Sequence, residues 1–156
     1  DARRDSSFVI KARTDAAGPL GIDAAIDRLN MYAEAGGDVL FADALLSKDD
    51  IANVARNVPK PLSVNMGLGL LTRGTTPLIH PQELQEMGVA MISYPRLMST
   101  GAVRGMVNAM DALINMIDGG ETIERPDLLY PFKDLNALVG IDYLDELEQR
   151  YAGPDE

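Results

Sequence analysis

Polar side chains stand at the ends of four short apolar segments, and their types suit the binding of an oxygen-rich anion. They are Arg13, Asp43, Asn65 and Tyr94, the last followed closely by Arg96. Arginine presents a planar fork that binds carboxylates or phosphates through paired hydrogen bonds, and asparagine offers both a donor and an acceptor. Aspartate binds a hard cation or takes part in proton transfer. The sequence therefore predicts a site for a small oxygen-rich anion together with a hard divalent cation.

Neighbouring polar residues extend this candidate site, although each also has a structural explanation. Thr14 is interpreted as a supporting hydroxyl, and Asp15 either belongs to the site or caps its own loop. Arg73 lies in the long segment 66–79 and is equally consistent with anion binding and with a solvated surface charge. His80, the single histidine, is interpreted as a helix cap or an exposed residue rather than a catalytic base.

Alternating strands and helices are needed to bring these side chains together. Near-continuous apolar runs predict strands at 8–13, 39–43, 61–65 and 89–94. Amphipathic stretches predict helices at 22–35, 47–58, 81–87 and 99–117, the second capped by Ser47. Such alternation is typical of a parallel α/β sheet with right-handed crossovers, in which polar residues at the carboxyl ends of the strands share one cleft. A dinucleotide site is excluded, because Gly67-Leu68-Gly69 lacks a third glycine and a following helix.

Composition narrows the class of protein further. The chain has 156 residues, 46% of them apolar, no cysteine, and a formal net charge of -10. The acidic balance argues against nucleic acid or an anionic membrane as partner, and the absence of an apolar run of about 18 residues argues against a membrane span. Without the apolar core of a signal peptide, a cytoplasmic location is expected. The eight methionines are interpreted as core residues.

The last part of the chain differs from the rest. Residues 121–156 hold 10 acidic and 3 basic residues and show no strand pattern. Their regularly spaced leucines predict two short helices separated by Gly140. We therefore expect two domains, four βα units in residues 1–120 and a helical C-terminal extension in residues 121–156.

Four segments, distinctive in combination, resemble one known superfamily. They are Phe8–Ala16, Ala33–Phe41, Pro61–Asn65 and Gly88–Pro95, and together they resemble the isocitrate lyase/phosphoenolpyruvate mutase superfamily. The similar branch includes methylisocitrate lyase, oxaloacetate decarboxylase and 2,3-dimethylmalate lyase. The resemblance implies strands five to eight of a (β/α)8 barrel of the TIM type. Because such a barrel has about 250 residues, we expect an N-terminal half of the same barrel beyond this chain, which does not begin with Met.

The resemblance also implies roles for particular residues. Arg13 and Asp43 would be catalytic, with Arg13 binding a carboxylate or oxo oxygen of the substrate, and Asn65 and Thr14 would bind substrate too. Asp43 stands where many lyases of the superfamily carry glutamate, which leaves the substrate open. The ligands of the implied Mg2+ cofactor, for which Mn2+ could substitute, would lie in the N-terminal half, so no metal ligand is expected in this chain.

The activity implied is that of a Mg-dependent lyase. It would cleave a C–C bond in, or decarboxylate, a small 2-hydroxy or 2-oxo dicarboxylic acid through a pyruvate-enolate-like intermediate, and this chain would supply the side of the site that binds the substrate anion. The alternatives are a phosphonopyruvate or carboxyphosphonoenolpyruvate mutase, or a non-catalytic half-barrel used for assembly. The resemblance further implies a homotetramer in which residues 121–156 are exchanged between subunits.

Overall fold

A parallel sheet organises the first part of the chain. The computed structural model describes residues 3–69 and 76–153. Its strands are β1 (Lys11–Thr14), β2 (Val39–Ala42), β3 (Leu62–Asn65) and β4 (Val89–Ser93). Neighbouring strands are parallel and follow chain order, β1-β2-β3-β4. A doubly wound sheet reverses its strand order at a switch point, so the unreversed order here is that of an arc of a barrel.

Helices connect and follow these strands. They are α1 (Ala17–Leu20), α2 (Ile22–Glu34), α3 (Lys48–Asn57), α4 (Pro81–Glu86), α5 (Leu97–Gly119), a 3-10 turn (Pro126–Leu128), α6 (Phe132–Val139) and α7 (Ile141–Tyr151). The predicted alternation of strand and helix is confirmed. The predicted cap of α3 is confirmed as well, because Ser47 Oγ accepts a hydrogen bond from the Asp50 N–H at 3.0 Å. The short helix α1, which contains a glycine and a proline, carried too little periodicity to be predicted.

The predicted start of the first strand is wrong by three residues. Phe8 and Val9 are 65% and 62% exposed and precede β1. The cause is a turn in which the Asp5 carboxylate accepts hydrogen bonds from the Ser7 N–H and hydroxyl at 2.8 and 2.7 Å. The Phe8 N–H then donates to the Asp5 carbonyl at 3.1 Å, so the chain becomes extended only after this turn.

A single apolar core joins the sheet to helices α2, α3 and α4. Its fully buried members include Leu29, Leu40, Ile51, Leu62 and Leu84, which come from two strands and all three helices. Burying each such side chain contributes about 1.5–3 kcal/mol relative to exposure. Helices α2, α3 and α4 thus cover one face of the sheet. The side chains of the alternate strand residues project from the other face.

The described chain divides into two compact units, one ending at Met98 and one beginning at Ser99. In the second unit the two predicted tail helices are present as α6 and α7, separated by Gly140. That glycine has a φ of 76°, in the left-handed region that ends a helix without a side-chain clash. The exchange of residues 121–156 between subunits stays a prediction.

The interpretation of the methionines as core residues is wrong for most of them. Met66 is fully buried, whereas Met31, Met98, Met106 and Met110 are 64%, 83%, 61% and 54% exposed. These methionines do lie on apolar helix faces, but no group in residues 3–69 and 76–153 covers those faces.

No helix within residues 3–69 and 76–153 is both long enough and apolar enough to cross a bilayer.

Candidate anion-binding site

The helix-free face of the sheet is concave. Lys11 and Met91 lie on the outermost strands, β1 and β4, yet Lys11 Nζ comes within 3.8 Å of Met91 Sδ. The ring of Phe41 on β2 lies nearby, with Lys11 Nζ at 4.8 Å and the Arg13 guanidinium carbon at 5.1 Å from its centroid. Side chains from the two outer strands can therefore reach a common space above β2 and β3.

A row of hydrogen bonds crosses the carboxyl ends of the four strands. Arg13 Nε donates to Asp15 Oδ1 at 2.7 Å, and Arg13 Nη2 donates to Asp43 Oδ2 at 2.6 Å. The Asn65 amide nitrogen donates to Asp43 Oδ1 at 3.4 Å. Ser93 Oγ donates to Asn65 Oδ1 at 2.5 Å. We call these five residues, Asp15, Arg13, Asp43, Asn65 and Ser93, the strand-end network.

Strand register explains why these residues meet. Thr14 pairs with Ala42, and the Asp43 N–H donates to the Thr14 carbonyl at 3.0 Å, which places Asp43 beside the end of β1. Asn65 pairs directly with Ser93 in the β3–β4 ladder. Parallel strands in this register present equivalent residues on the same face, so adjacent strands carry the network from one edge of the sheet to the other.

The charges of the network are unbalanced. Two carboxylates, Asp15 and Asp43, share one guanidinium, so the ionised group carries a net charge of about -1. The hydrogen bond with Asp15 raises the pKa of Arg13, and the neighbouring charge of Asp43 acts in the same direction. The Arg13 side chain is 50% exposed, and ion pairs so accessible to water add little stability. Their main effect is to orient the guanidinium.

Arg13 keeps hydrogen-bonding capacity for a ligand. A guanidinium has five N–H donors, and two of them, on Nε and Nη2, are used by Asp15 and Asp43. In the part of the chain that the structure describes, no group accepts from Nη1. Three donors therefore remain, two on Nη1 and one on Nη2, and a pair of guanidinium N–H groups matches the two oxygens of a carboxylate.

Three of the four predicted site residues come together, and Thr14 does not. Arg13, Asp43 and Asn65 belong to the strand-end network, as their positions at strand ends predicted. Thr14 is 3% exposed and lies on the opposite face, because successive strand residues point to opposite sides of a sheet. Its hydroxyl accepts a hydrogen bond from the Ala16 N–H at 3.2 Å. Thr14 thus stabilises the loop that carries Asp15, and contact between Thr14 and substrate stays a prediction.

Three further candidate residues are described by the structure but are not members of the strand-end network. Tyr94 is half-buried and packs against the core. Arg96 is exposed and has a φ of 68°. His80 Nδ1 accepts a hydrogen bond from the Gln82 N–H at 3.2 Å, which confirms its interpretation as a helix cap. Arg73 lies outside the described residues.

Ser93 is the functional candidate that sequence reasoning missed. The apolar run around it predicts a strand that ends at Tyr94, whereas β4 ends one residue earlier, at Ser93. The available signal was the alternation of Met91 and Ser93, which matches that of Ser63 and Asn65 on the adjacent strand. A serine in a strand is common, however, and only the register shows that this one meets Asn65.

The described residues do not form a metal site by themselves. Within residues 3–69 and 76–153, no three histidine, aspartate or glutamate side chains gather closely enough to hold an ion. Asp15 and Asp43 are separated by the guanidinium that both of them bind. A divalent cation at this cleft would therefore need ligands from other residues.

Comparison with known proteins identifies the family. The family model for phosphoenolpyruvate phosphomutase matches residues 1–114, which is more than half of the chain. The chain belongs to this phosphoenolpyruvate phosphomutase family. Among solved structures, that of oxaloacetate acetylhydrolase with the inhibitor 3,3-difluorooxalacetate matches with a TM-score of 0.76 and 27% identity, covering 96% of this chain and 48% of that one. The predicted α/β architecture and the resemblance to the superfamily are thereby confirmed.

Curated members of the family include both mutases and lyases. The chain is 34% identical to the chloroplastic carboxyvinyl-carboxyphosphonate phosphorylmutase of Arabidopsis thaliana, over 97% of its own length and 44% of that protein. It is 32% identical to 2,3-dimethylmalate lyase of Eubacterium barkeri, over 97% of its own length and 50% of that protein. The chain thus spans about half the length of the curated relatives it matches.

Proposed function

We propose that this chain supplies the anion-binding side of the active site of a Mg-dependent lyase. Its substrate would be a small 2-hydroxy or 2-oxo dicarboxylic acid, cleaved at a C–C bond or decarboxylated through a pyruvate-enolate-like intermediate. The observation that carries the proposal is the strand-end network, which sets fixed N–H donors and a carboxylate at the carboxyl ends of four adjacent strands. That end of the strands forms the active site in barrels of this class.

Three residues of the network have distinct roles in this proposal. The remaining donors of Arg13 bind a substrate carboxylate through two hydrogen bonds. Asn65 donates to an oxygen that gains negative charge as the bond breaks, and such preset donors favour the transition state over the ground state. Asp43 holds both donors in place, and its remaining lone pairs accept the hydrogen of a substrate hydroxyl.

Mg2+, or Mn2+ in its place, is part of the proposal and would offset the charge of the enolate oxygen. The net negative charge of the strand-end network supports a nearby cation, because the network would otherwise repel a dianionic substrate. Its ligands would come from the other half of the barrel, since the described residues do not form such a site. The roles assigned to Arg13, Asp43 and Asn65 do not pass through the ion.

The proposed partners follow from the incomplete sheet. In the described chain β1 and β4 each pair on one side only, and unpaired strand edges invite further pairing. We propose that an N-terminal half of the same barrel pairs at these edges, and that the complete protein forms a homotetramer.

A pyruvate-release assay tests the proposal. The complete protein, containing both barrel halves, is incubated with Mg2+ and a panel of 2-hydroxy and 2-oxo diacids. We expect pyruvate from at least one of them, and a fall in kcat/KM of about a hundredfold in Arg13→Ala, since a charged hydrogen-bonding partner of the substrate is lost. Lys11→Gln is the matched control: it removes a cation from the same strand and face but lies outside the strand-end network, so we expect a change below about threefold.

Two other outcomes would contradict the lyase proposal. The first is conversion of phosphonopyruvate, which has a P–C bond, into its isomer with a P–O bond, measured by phosphorus NMR. If the protein catalyses this conversion and releases no pyruvate from any diacid, it is a mutase. That alternative is supported by the similarity to the phosphorylmutase of Arabidopsis thaliana. No turnover of either class by the complete protein with metal would indicate an assembly module.

A further inference from the structure

The hydroxyl of Ser93 lies at the far end of the strand-end network and binds only one of its members. Ser93 and Asn65 are half-buried and in register, and Ser93 Oγ donates to Asn65 Oδ1 at 2.5 Å. The hydroxyl also lies 3.4 Å from the Val64 carbonyl, an alternative acceptor at a longer distance. Its shorter contact is thus with the side-chain oxygen of Asn65.

Two neighbours determine which way the Asn65 amide faces. The Ser93 hydroxyl donates to the amide oxygen, and Asp43 Oδ1 accepts from the amide nitrogen at 3.4 Å. In the flipped orientation the amide oxygen would lie against the Asp43 carboxylate, and two acceptors repel each other. The amide therefore keeps its nitrogen on the Asp43 side, and its second N–H remains available for a ligand.

We propose that Ser93 is a positioning residue that holds the Asn65 amide with its N–H toward the bound oxyanion. This inference rests on the proposed function and adds a rule of specificity to it. With its oxygen engaged by Ser93, Asn65 binds hydrogen-bond acceptors and not cations. Arg13 likewise offers only donors. This side of the cleft then selects ligands that present acceptor oxygens to both residues, as a carboxylate beside an oxo or enolate oxygen does.

A thermodynamic cycle with oxalate as the probe tests this role. Oxalate binding to the complete protein with Mg2+ is measured by calorimetry, alongside kcat and KM. We expect Ser93→Ala to raise the Kd about tenfold, as for the loss of one well-placed donor, and Ser93→Thr to keep the Kd within about threefold of the wild type because it retains the hydroxyl. Asn65→Ala should weaken binding at least as much. Adding Ser93→Ala to Asn65→Ala should change nothing further, because Ser93 acts through Asn65.

Ser63 provides the matched control. It lies on β3 two residues before Asn65, faces the same side of the sheet, and is fully buried. Within the described residues its Oγ has no hydrogen-bond partner. Ser63→Ala therefore removes a hydroxyl from the same face without touching the strand-end network, and we expect the Kd for oxalate to stay within about twofold.

A second measurement does not depend on binding or turnover. In protein labelled with 15N, the side-chain NH2 resonances of Asn65 should shift in Ser93→Ala and return toward their wild-type positions in Ser93→Thr. Unchanged resonances in Ser93→Ala would overturn the inference, as would equal effects of Ser93→Ala in the wild-type and Asn65→Ala backgrounds. A wild-type protein that turns over no diacid but shows these NMR changes would contradict the proposed function and leave the role of Ser93 standing.

Discussion

Ala44 carries a backbone conformation that few alanines adopt. Its φ is 59°, and in the described chain only Arg96 shares a positive φ among residues other than glycine. Ala44 lies two residues after the end of β2, and Arg96 lies three residues after the end of β4. Ala44 comes directly after Asp43, so its left-handed backbone conformation helps to set where the Asp43 carboxylate lies.

Because of this conformation, we expect the substitution of Ala44 by glycine to stabilise the protein, whereas most alanine-to-glycine substitutions destabilise one. In Ala44→Gly the left-handed conformation no longer costs the roughly 1 kcal/mol that a Cβ imposes, and the greater freedom of glycine in the unfolded state cancels part of the gain. We expect the free energy of unfolding of the complete protein to rise by about 0.5 kcal/mol, measured by urea denaturation. The same change at Ala42, buried in β2, should lower it by about 1 kcal/mol. A destabilised Ala44→Gly would refute this account.

At the scale of single residues, a simple rule predicts much of the candidate site. Arg13, Asp43 and Asn65 were expected to meet because each ends an apolar run, and the carboxyl ends of parallel strands share one edge. Thr14 was grouped with these residues although it lies on the opposite face of the sheet, and Ser93 was missed, because the face that a side chain occupies depends on the exact pairing of its strand. A shift by one position moves a side chain to the opposite face of the sheet, and an apolar run does not show where its pairing stops.

At the scale of the elements, a group of hydrogen bonds fixes the start of β1. It lies at the amino ends of the strands, opposite the strand-end network. Arg3 Nη2 donates to Asp38 Oδ2 at 2.6 Å and to the Gly36 carbonyl at 2.8 Å, and the Ile10 N–H donates to Asp38 Oδ2 at 2.8 Å. The bond from Ile10 lowers the pKa of Asp38 from its ordinary value of 3.8, and Arg3 acts in the same direction. One carboxylate therefore joins the segment before β1 to the loop before β2.

Asp38→Asn removes the carboxylate that forms this link. We expect the substitution to lower the free energy of unfolding by an amount that depends on pH. Because the pKa of Asp38 is lower in the folded state than in the unfolded state, its stabilisation is complete above the unfolded value and disappears as pH falls through the folded value. We expect wild type and Asp38→Asn to differ in free energy of unfolding by a constant amount above about pH 5, and to converge below pH 3.8.

Asp27→Asn is the matched control for that experiment. Asp27 is an exposed residue of α2 and forms no ion pair within the described ranges. We expect Asp27→Asn to show no such convergence with the wild type at low pH. A gap between wild type and Asp38→Asn that does not narrow as the pH falls below 3.8, measured by chemical denaturation, would contradict the role of Asp38.

The elements themselves were predictable to different degrees. Helix α2 follows from its amphipathic pattern and the glycine after its end, and α3 follows from its pattern and the Ser47 cap. Strands β2 and β3 follow from apolar runs that are buried in the structure. The onset of β1 did not follow, because its run begins before pairing does and the Asp5 turn interrupts it. The apolar helix faces that the methionines occupy were visible in the sequence, whereas the exposure of these faces in the described residues was not.

For the whole molecule, the central expectation is that residues 1–156 do not behave as a stable monomer by themselves. Large apolar side chains are exposed in both units, among them Phe8, Met98, Phe132 and Leu138, and β1 and β4 have unpaired outer edges in the described chain. Apolar surface and open edges of this kind promote association. Light scattering should show oligomers or aggregates for residues 1–156, and a defined complex when the N-terminal barrel half is co-expressed. A monodisperse 16.8 kDa monomer with cooperative unfolding would disprove this expectation.

The strand-end network begins and ends on the two outermost strands, with Arg13 on β1 and Ser93 on β4. How far apart these two residues lie depends on the curvature of the sheet, and that curvature is set by whatever pairs at its outer edges. In the complete barrel proposed above, a substitution outside this chain could then widen or narrow the cleft while every residue of the network stayed the same. Under that proposal, exchanging N-terminal halves among relatives is a route by which evolution, or a protein engineer, could change substrate size without altering the chemistry of recognition.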